Sequence, residues 1–373
     1  MIPPRPEVLV TPLATHGGRL GIVGEQGSVL YDFSVCLNAY GPADIVREAI
    51  RNVSPDEYPD PHCRAPREVA ATLWKRSIDE IAFGAGAAEF IHAVCFAYVR
   101  PGDKVLIATP AFGEYERAAR LCGAVLSTCP YGALGDTPEE DAESTARICD
   151  SIARIRPRLT FLCTPSNPTG HCTSRADLTA IADTCEAAGS LLVLDQAYDA
   201  FTARPVGSPA LPGRSAVLHL RSLTKEHALA GVRVAFAIGP VEVIRILEQV
   251  RVPWSASSTA QAAGVAAFTN EAEQHVQDSI ARLRIEAVRL ADDCSHLGFT
   301  TRSSATHFFL VHVGDAQRAQ DILSSRAGIY VRDCTSFGLP AWIRIAARRP
   351  AENDVLLNAF HTFNTLLHLR NDV

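Results

Sequence analysis

Little in this sequence would tie it to a membrane, to nucleic acid or to a metal. Its longest apolar runs are strand-length, far short of the roughly 20 residues a spanning helix needs. The opening MIPPRPEVLV has no charged start followed by a long apolar stretch, so no signal peptide is expected. No basic run interrupts a formal net charge of −6, which argues against a nucleic-acid partner. None of the 11 cysteines forms a CxxC pair or stands at ligand spacing with histidine. They read as reduced, mostly buried thiols of a cytoplasmic protein, with no metal site. What the chain does have is 373 residues, 47% hydrophobic and 20% charged. That suits a globular enzyme with a large core, built as two lobes or one large α/β unit.

Strand-like and helix-like segments alternate through the first two thirds. The strand candidates are 80–84, 104–108, 124–128, 159–164, 190–195, 216–220 and 232–239. Helical patterns fall between them at 87–99, 112–123 and 176–189. Several strands are continuous apolar runs, the mark of a sheet covered on both faces. The expected fold is therefore α/β, with a mostly parallel seven-stranded sheet covered by helices. After Pro253 the character changes. A long amphipathic helix over 271–297 precedes HFFLVHV (307–313), GIYVRDC (328–334) and WIRIAAR (342–348), which read as a smaller α+β lobe. The expected division is 43–255 for the large domain, with 1–42 and 256–373 forming the small one.

Ligands of open α/β sheets bind at the carboxyl ends of the strands, and the polar residues there form a set. GAGAAE (84–89) turns straight into a helix, offering free backbone N–H groups at Gly86, Ala87 and Ala88. PSNPTG places Asn167 in a turn; LDQAY carries Asp195 and Tyr198; RSLTKEHALAGVRVAF carries Ser222, Lys225 and Arg233. Taken alone, Lys225 reads as a solvated turn residue and Asp195 as a cap. Together they match one cofactor, pyridoxal 5'-phosphate. Lys225 supplies the amine that holds it. Asp195 supplies the anion that keeps the ring nitrogen protonated. Asn167 and Tyr198 serve the ring hydroxylate. Ser222, Arg233 and the helix entry serve the phosphate, and Phe112 is placed to stack on the ring.

These motifs carry a resemblance. CTPSNPTG, LDQAY and SLTKEHALAGVRVAF follow the order and spacing of the fold-type I pyridoxal-phosphate enzymes of the class I/II aminotransferase superfamily. Within it, YPDP (58–61), PGDKVLIATPAFGEYERAA (101–119) and VRDCTSFGLPAWIRIAAR (331–348) resemble the branch of histidinol-phosphate aminotransferases and threonine-phosphate decarboxylases. The resemblance implies a homodimer with shared active sites, Tyr58 reaching the cofactor phosphate of the other subunit. It implies that Arg344 clamps a substrate carboxylate, a task suited to a planar guanidinium, and that Arg332 is a second anion contact. THGG (15–18) and DFSVCLNAYGP (32–42) resemble the decarboxylase side, which puts His16 on a substrate phosphate and Asn38 among the substrate contacts. Three positions depart from the family pattern: Asn38-Ala39-Tyr40-Gly41 for Asn-Pro-x-Gly, Asp195-Gln196-Ala197 for Asp-Glu-Ala, and GAG for GNG.

The expected substrate is a small, phosphorylated amino acid. The expected reaction resembles threonine-phosphate decarboxylation, with transamination of the histidinol-phosphate type as the alternative. Both break a bond at the carbon bearing the amine, with Lys225, Asp195 and Tyr198 at the chemistry. Which bond breaks depends on the orientation that Arg344 and Arg332 impose. A catalytically silent binding module is the third reading, opposed by the intact Lys225, Asp195, Asn167 and Arg233.

Overall fold

The structure is a computed structural model that describes residues 2–18, 31–132, 138–203, 205, 207 and 209–368. Seven strands form the large sheet: β1 (Ile81–Gly84), β2 (Lys104–Thr109), β3 (Val125–Pro130), β4 (Leu159–Cys163), β5 (Leu191–Asp195), β6 (Val217–Ser222) and β7 (Ala235–Ile238). Their order is β1-β7-β6-β5-β4-β2-β3, and only β7 runs against the others. β4 and β5 are buried at every position, as their unbroken apolar runs require.

Strand alternation sorts the core into two faces. Val105 and Ile107 join Phe161, Val193 and Leu218 in a cluster packed under helix Ala87–Tyr98. Leu106 and Ala108 point the other way, into a cluster with Leu162, Leu192 and Leu194 under helix Arg175–Ala188. That helix starts where Ser174 Oγ accepts the Asp177 N–H at 3.1 Å and stops at Gly189, whose φ of 71° an L side chain rarely adopts.

The smaller lobe holds an antiparallel sheet of four strands, Arg332–Asp333, Trp342–Ala346, Phe308–His312 and Thr301–Arg302 in that order. Tyr31–Asp32 pairs in parallel with Ile329–Tyr330 beside it. Helix Asn270–His296 links the lobes. Its Ala272 lies in the large-lobe core, Ile280 and Leu283 pack with Tyr198 and Phe308, and Leu290 enters the small-lobe core.

Several boundaries differ from expectation, and two of the differences have a clear conformational or packing reason. The strand expected from 232 begins at Ala235, because Val232 and Arg233 form a turn with Arg233 at φ 65°. Helix Ser258–Ala266, assigned with the small domain, packs Ala260 and Ala263 into one cluster with Phe83 and Phe236 of the large sheet. Its small residues allow that close approach. Gly264 has no room for a side chain, since a Cβ there would stand 2.6 Å from the Phe83 ring.

Candidate active site

One cavity of about 380 Å³ opens at the carboxyl edge of the large sheet and is roofed by the small lobe. Its walls include His16, Ala87, Ala88, Phe112, Asn167, Asp195, Tyr198, Ser222, Lys225, Arg233, Arg332 and Arg344. The topology explains the convergence. β5 ends on Asp195 and β6 on Ser222, and the antiparallel β7 begins at this same edge, Ala235 pairing with Ser222. Arg233, two residues before β7, is thereby delivered to the site.

Lys225 stands on a single helical turn, Leu223–Glu226, pinned from behind. The Asn38 backbone N–H donates to Lys225 O at 2.9 Å, and Asn38 Nδ2 donates to Glu226 O at 2.9 Å. The buried Glu226 carboxylate accepts two bonds from Arg221, at 2.9 and 2.6 Å. Burial pushes its pKa up to about 7 against the pull of that guanidinium. Burial also lowers the pKa of Lys225; Arg344 and Arg233 push the same way, while Cys36 and Asp195 oppose. A larger share of the amine is therefore in its neutral, nucleophilic form.

Asp195 is buried, and both its oxygens are engaged. Oδ2 accepts the Tyr115 hydroxyl at 2.7 Å and Oδ1 the Ala197 N–H at 3.0 Å. Burial raises its pKa; the Tyr115 and Ala197 bonds and the Lys225 charge work to lower it. Tyr115 stacks on Phe161 with ring centroids 5.0 Å apart, which fixes its hydroxyl.

At the opposite wall, helix Ala87–Tyr98 opens on Gly86, whose φ is 95°. A Cβ on Gly86 would lie 2.5 Å from Arg233 Nη2, so glycine is required twice over, by conformation and by space. The first N–H groups of that helix have no partner within it. With Ser222 and Arg233 they form an anion cradle.

Arg332 and Arg344 are neighbours across the small sheet, paired in register. Arg344 donates through Nη1 to Asn167 Oδ1 and through Nη2 to Ser34 O at 2.6 Å, while its Nε is buried with no partner. Arg332 Nη2 donates to Thr15 O at 3.0 Å and Ser336 Oγ at 2.7 Å, and its guanidinium lies 4.9 Å from the Phe337 centroid. Neither has a carboxylate partner among the described residues. Burial, then the Arg344 charge, lower the Arg332 pKa.

Two expected site residues lie elsewhere. Asn38 is 2% exposed and does not line the cavity; its Nδ2 also donates to Ser279 Oγ at 2.7 Å, and its Oδ1 accepts the Tyr40 N–H at 3.0 Å. Its hydrogen-bonding groups are spent on holding the lysine turn, so it is a support for Lys225 and not a substrate contact. Tyr58 is 84% exposed, its ring 5.2 Å from that of Trp254, outside the cavity of its own chain. The departure at Gln196 faces away from the site. Its amide donates to Gly207 O at 2.8 Å and lies 2.9 Å from His219 Nδ1.

Sequence reasoning missed Tyr115, Glu114 and His92. Each sits on an amphipathic helix where its residue type looked ordinary. Glu114 follows the stacking residue Phe112 by two positions, and its carboxylate meets His16 and His92. No group of three or more metal-ligating side chains occurs among the described residues, nor is any described helix long and apolar enough to cross a membrane.

The donor set fits pyridoxal phosphate: an amine at Lys225, a buried carboxylate at Asp195, an aromatic wall at Phe112, and at Gly86–Ala88, Ser222 and Arg233 a set of groups that would hold a phosphate. When bound, that cofactor supplies a ring that accepts electrons from the carbon next to the reacting amine. In such a site Asp195 would hold the ring nitrogen's proton, the Lys225 amine would carry a proton to and from the reacting carbon, and Arg332 and Arg344 would orient the substrate.

Fold and site together define a fold-type I pyridoxal-phosphate enzyme. The family model for aminotransferase class I and II matches residues 36–360, and the chain belongs to that family. A histidinol-phosphate aminotransferase of Haloarcula marismortui is 31% identical over 313 residues, covering 83% of this chain and 82% of the relative. One from Paramagnetospirillum magneticum is 30% identical over 373 residues, covering 96% and 98%. Among solved structures, the histidinol-phosphate aminotransferase of Sinorhizobium meliloti in complex with pyridoxal-5'-phosphate aligns with a TM-score of 0.81 at 24% identity, over 89% of this chain and 90% of that one.

Proposed function

We propose that this enzyme is an aminotransferase whose substrate is a small phosphorylated amine or amino acid of the histidinol-phosphate kind. The observation that carries the reading is the buried pair Arg332 and Arg344, facing the cavity of Lys225 without a carboxylate partner among the described residues. Burying an unpaired ion costs several kcal/mol, and the Arg233 cradle already serves the cofactor phosphate. The pair therefore calls for a doubly charged phosphate, or for a phosphate and a carboxylate on one small molecule. The curated relatives are histidinol-phosphate aminotransferases, which moves transamination ahead of the decarboxylation favoured on sequence.

Decarboxylation of a phosphorylated amino acid stands as the second reading, because the His16-Gly17 segment does line the cavity. The test is amino transfer from L-histidinol phosphate to 2-oxoglutarate by the holoenzyme, run beside carbon dioxide release from O-phospho-L-threonine. Acceptor-dependent turnover without carbon dioxide supports the reading; carbon dioxide release without an acceptor overturns it in favour of the second. Two further parts of the proposal are a homodimer, in which the exposed Tyr58 serves the partner's phosphate cradle, and a cytoplasmic setting, in keeping with 11 free thiols.

A further inference from the structure

The cavity wall holds a second carboxylate whose place in the reaction is not set by the cofactor. Glu114 lies in the first turn of helix Gly113–Leu121, its side chain only 10% exposed. Oε1 stands 3.0 Å from His16 Nε2, and Oε2 stands 2.7 Å from His92 Nε2 and 3.5 Å from Arg117 Nη1. An ionised carboxylate accepts and cannot donate, so both Nε2 atoms carry protons. With Nε2–H on the carboxylate, the charged form of His16 keeps a second N–H at Nδ1 that can donate to a phosphate, whereas the neutral ring offers only a lone pair there. The His16 ring leans on Phe112 at a centroid distance of 5.5 Å.

The rest of this N-terminal strap is held to the same wall. A Cβ on Gly113 would lie 3.2 Å from Ala14 Cβ, and one on Gly17 would lie 2.6 Å from Ser34 O. Thr15 O accepts from Arg332, and the Gly18 N–H donates to Ser34 Oγ at 2.9 Å. Among the described residues, Glu114 is the one side chain in charged contact with His16, and both its oxygens are already occupied by donors from the protein. It is thus unsuited to hold a substrate ammonium.

We propose that Glu114 is a positioning residue for substrate selection: it holds His16 at the cavity wall so that the imidazolium, beside Arg332, donates through Nδ1–H to the phosphate of the substrate. The inference rests on the phosphorylated-substrate reading above and adds to it the residue that presents His16.

Two pairs of probes test it by equilibrium titration of the holoenzyme, L-histidinol phosphate with L-histidinol and O-phospho-L-threonine with L-threonine. Glu114→Ala is expected to weaken binding of the phosphorylated member about 10- to 100-fold, the worth of one charge-assisted contact, and to leave the other member within about 3-fold. His16→Ala is expected to do the same, and the double variant to lose no more than either single one. Glu114→Gln, which keeps one acceptor oxygen, falls between and serves if the alanine variant fails to take up cofactor, as judged by its yellow absorbance. Where a pair turns over, KM rises and kcat holds.

If His16→Ala weakens phosphate binding while Glu114→Ala leaves it unchanged or tightens it, Glu114 is a plain negative charge and the proposal is wrong, although the substrate reading survives. Equal weakening for both members of a pair would mark a structural role and also sink it. If wild-type enzyme prefers the phosphorylated member of neither pair, the substrate reading itself fails, and the proposal with it.

Discussion

Replacing Tyr115 by phenylalanine removes one oxygen atom and keeps the ring stacked on Phe161. That oxygen is the donor to Asp195 Oδ2 at 2.7 Å, one of two protein hydrogen bonds to a fully buried carboxylate. A hydrogen bond to a charged group is worth about 1.5–3 kcal/mol. Losing it destabilises the ionised form of Asp195, and burial, already the largest influence on this group, pushes its pKa further up. The sign is then fixed. An Asp195 that takes up its own proton at higher pH stops balancing the ring nitrogen's positive charge over a wider range of pH, so the rate falls toward acid, and the acid limb of kcat/KM moves to higher pH. If the whole bond is felt in the transition state, kcat drops about 10- to 150-fold. KM changes little, because the Arg332–Arg344 pair that holds the substrate is untouched. The assay is a pH profile of kcat and kcat/KM for Tyr115→Phe against wild type, with cofactor content matched by absorbance. A variant with wild-type kcat and an unmoved acid limb would refute the account, and would mean that the Ala197 N–H alone sustains Asp195.

Three further outcomes are expected. Lys225→Ala abolishes turnover yet still binds pyridoxal phosphate non-covalently, since the Gly86–Ala88 cradle and Arg233 remain; measurable turnover by it would remove Lys225 from its role. Gly86→Ala forces a side chain into a strained conformation worth about 1–3 kcal/mol and against the Arg233 guanidinium, so cofactor affinity measured by equilibrium titration falls about 10- to 100-fold; unchanged affinity would place the phosphate elsewhere. Arg332→Ala raises KM for a phosphorylated substrate about 10- to 100-fold and hardly affects the unphosphorylated analogue, whereas equal effects on both would assign Arg332 to another part of the substrate.

The sheet and most residues lining the cavity at its edge were legible because both are local signals. Unbroken apolar runs such as LLVLD announce a strand buried on both faces, and the polar residue closing each run sits at the sheet edge where ligands bind. Contacts made over long separations were not legible. Glu114 lies 98 residues from His16 and Tyr115 80 residues from Asp195, and on their own helix they show the spacing of ordinary amphipathic positions. Asn38 failed for a related reason. Its neighbours in sequence suggested substrate, but its side chain is consumed by the backbone of the lysine turn 188 residues away. Arg233 does line the cavity, but it reads as part of a strand, because the left-handed turn that delivers it has no glycine at that position to announce it.

The two sheets divide the active site by heritable unit. Apart from Tyr58, assigned to the partner's cradle, every group assigned to the cofactor stands on the large sheet's edge, between Gly86 and Arg233. The groups assigned to the substrate come from two other stretches of chain, the strap around His16 and the strands carrying Arg332 and Arg344. One bond between side chains, from Arg344 to Asn167, crosses from one set to the other. Recombination or drift can therefore rewrite the strap and the small-sheet strands, and with them the choice of substrate, while the apparatus that manages the electrons is inherited intact. For an engineer the same division marks where a library belongs: residues 14–18 and 332–343 randomised together, with Asn167 and Arg344 kept as the fixed joint.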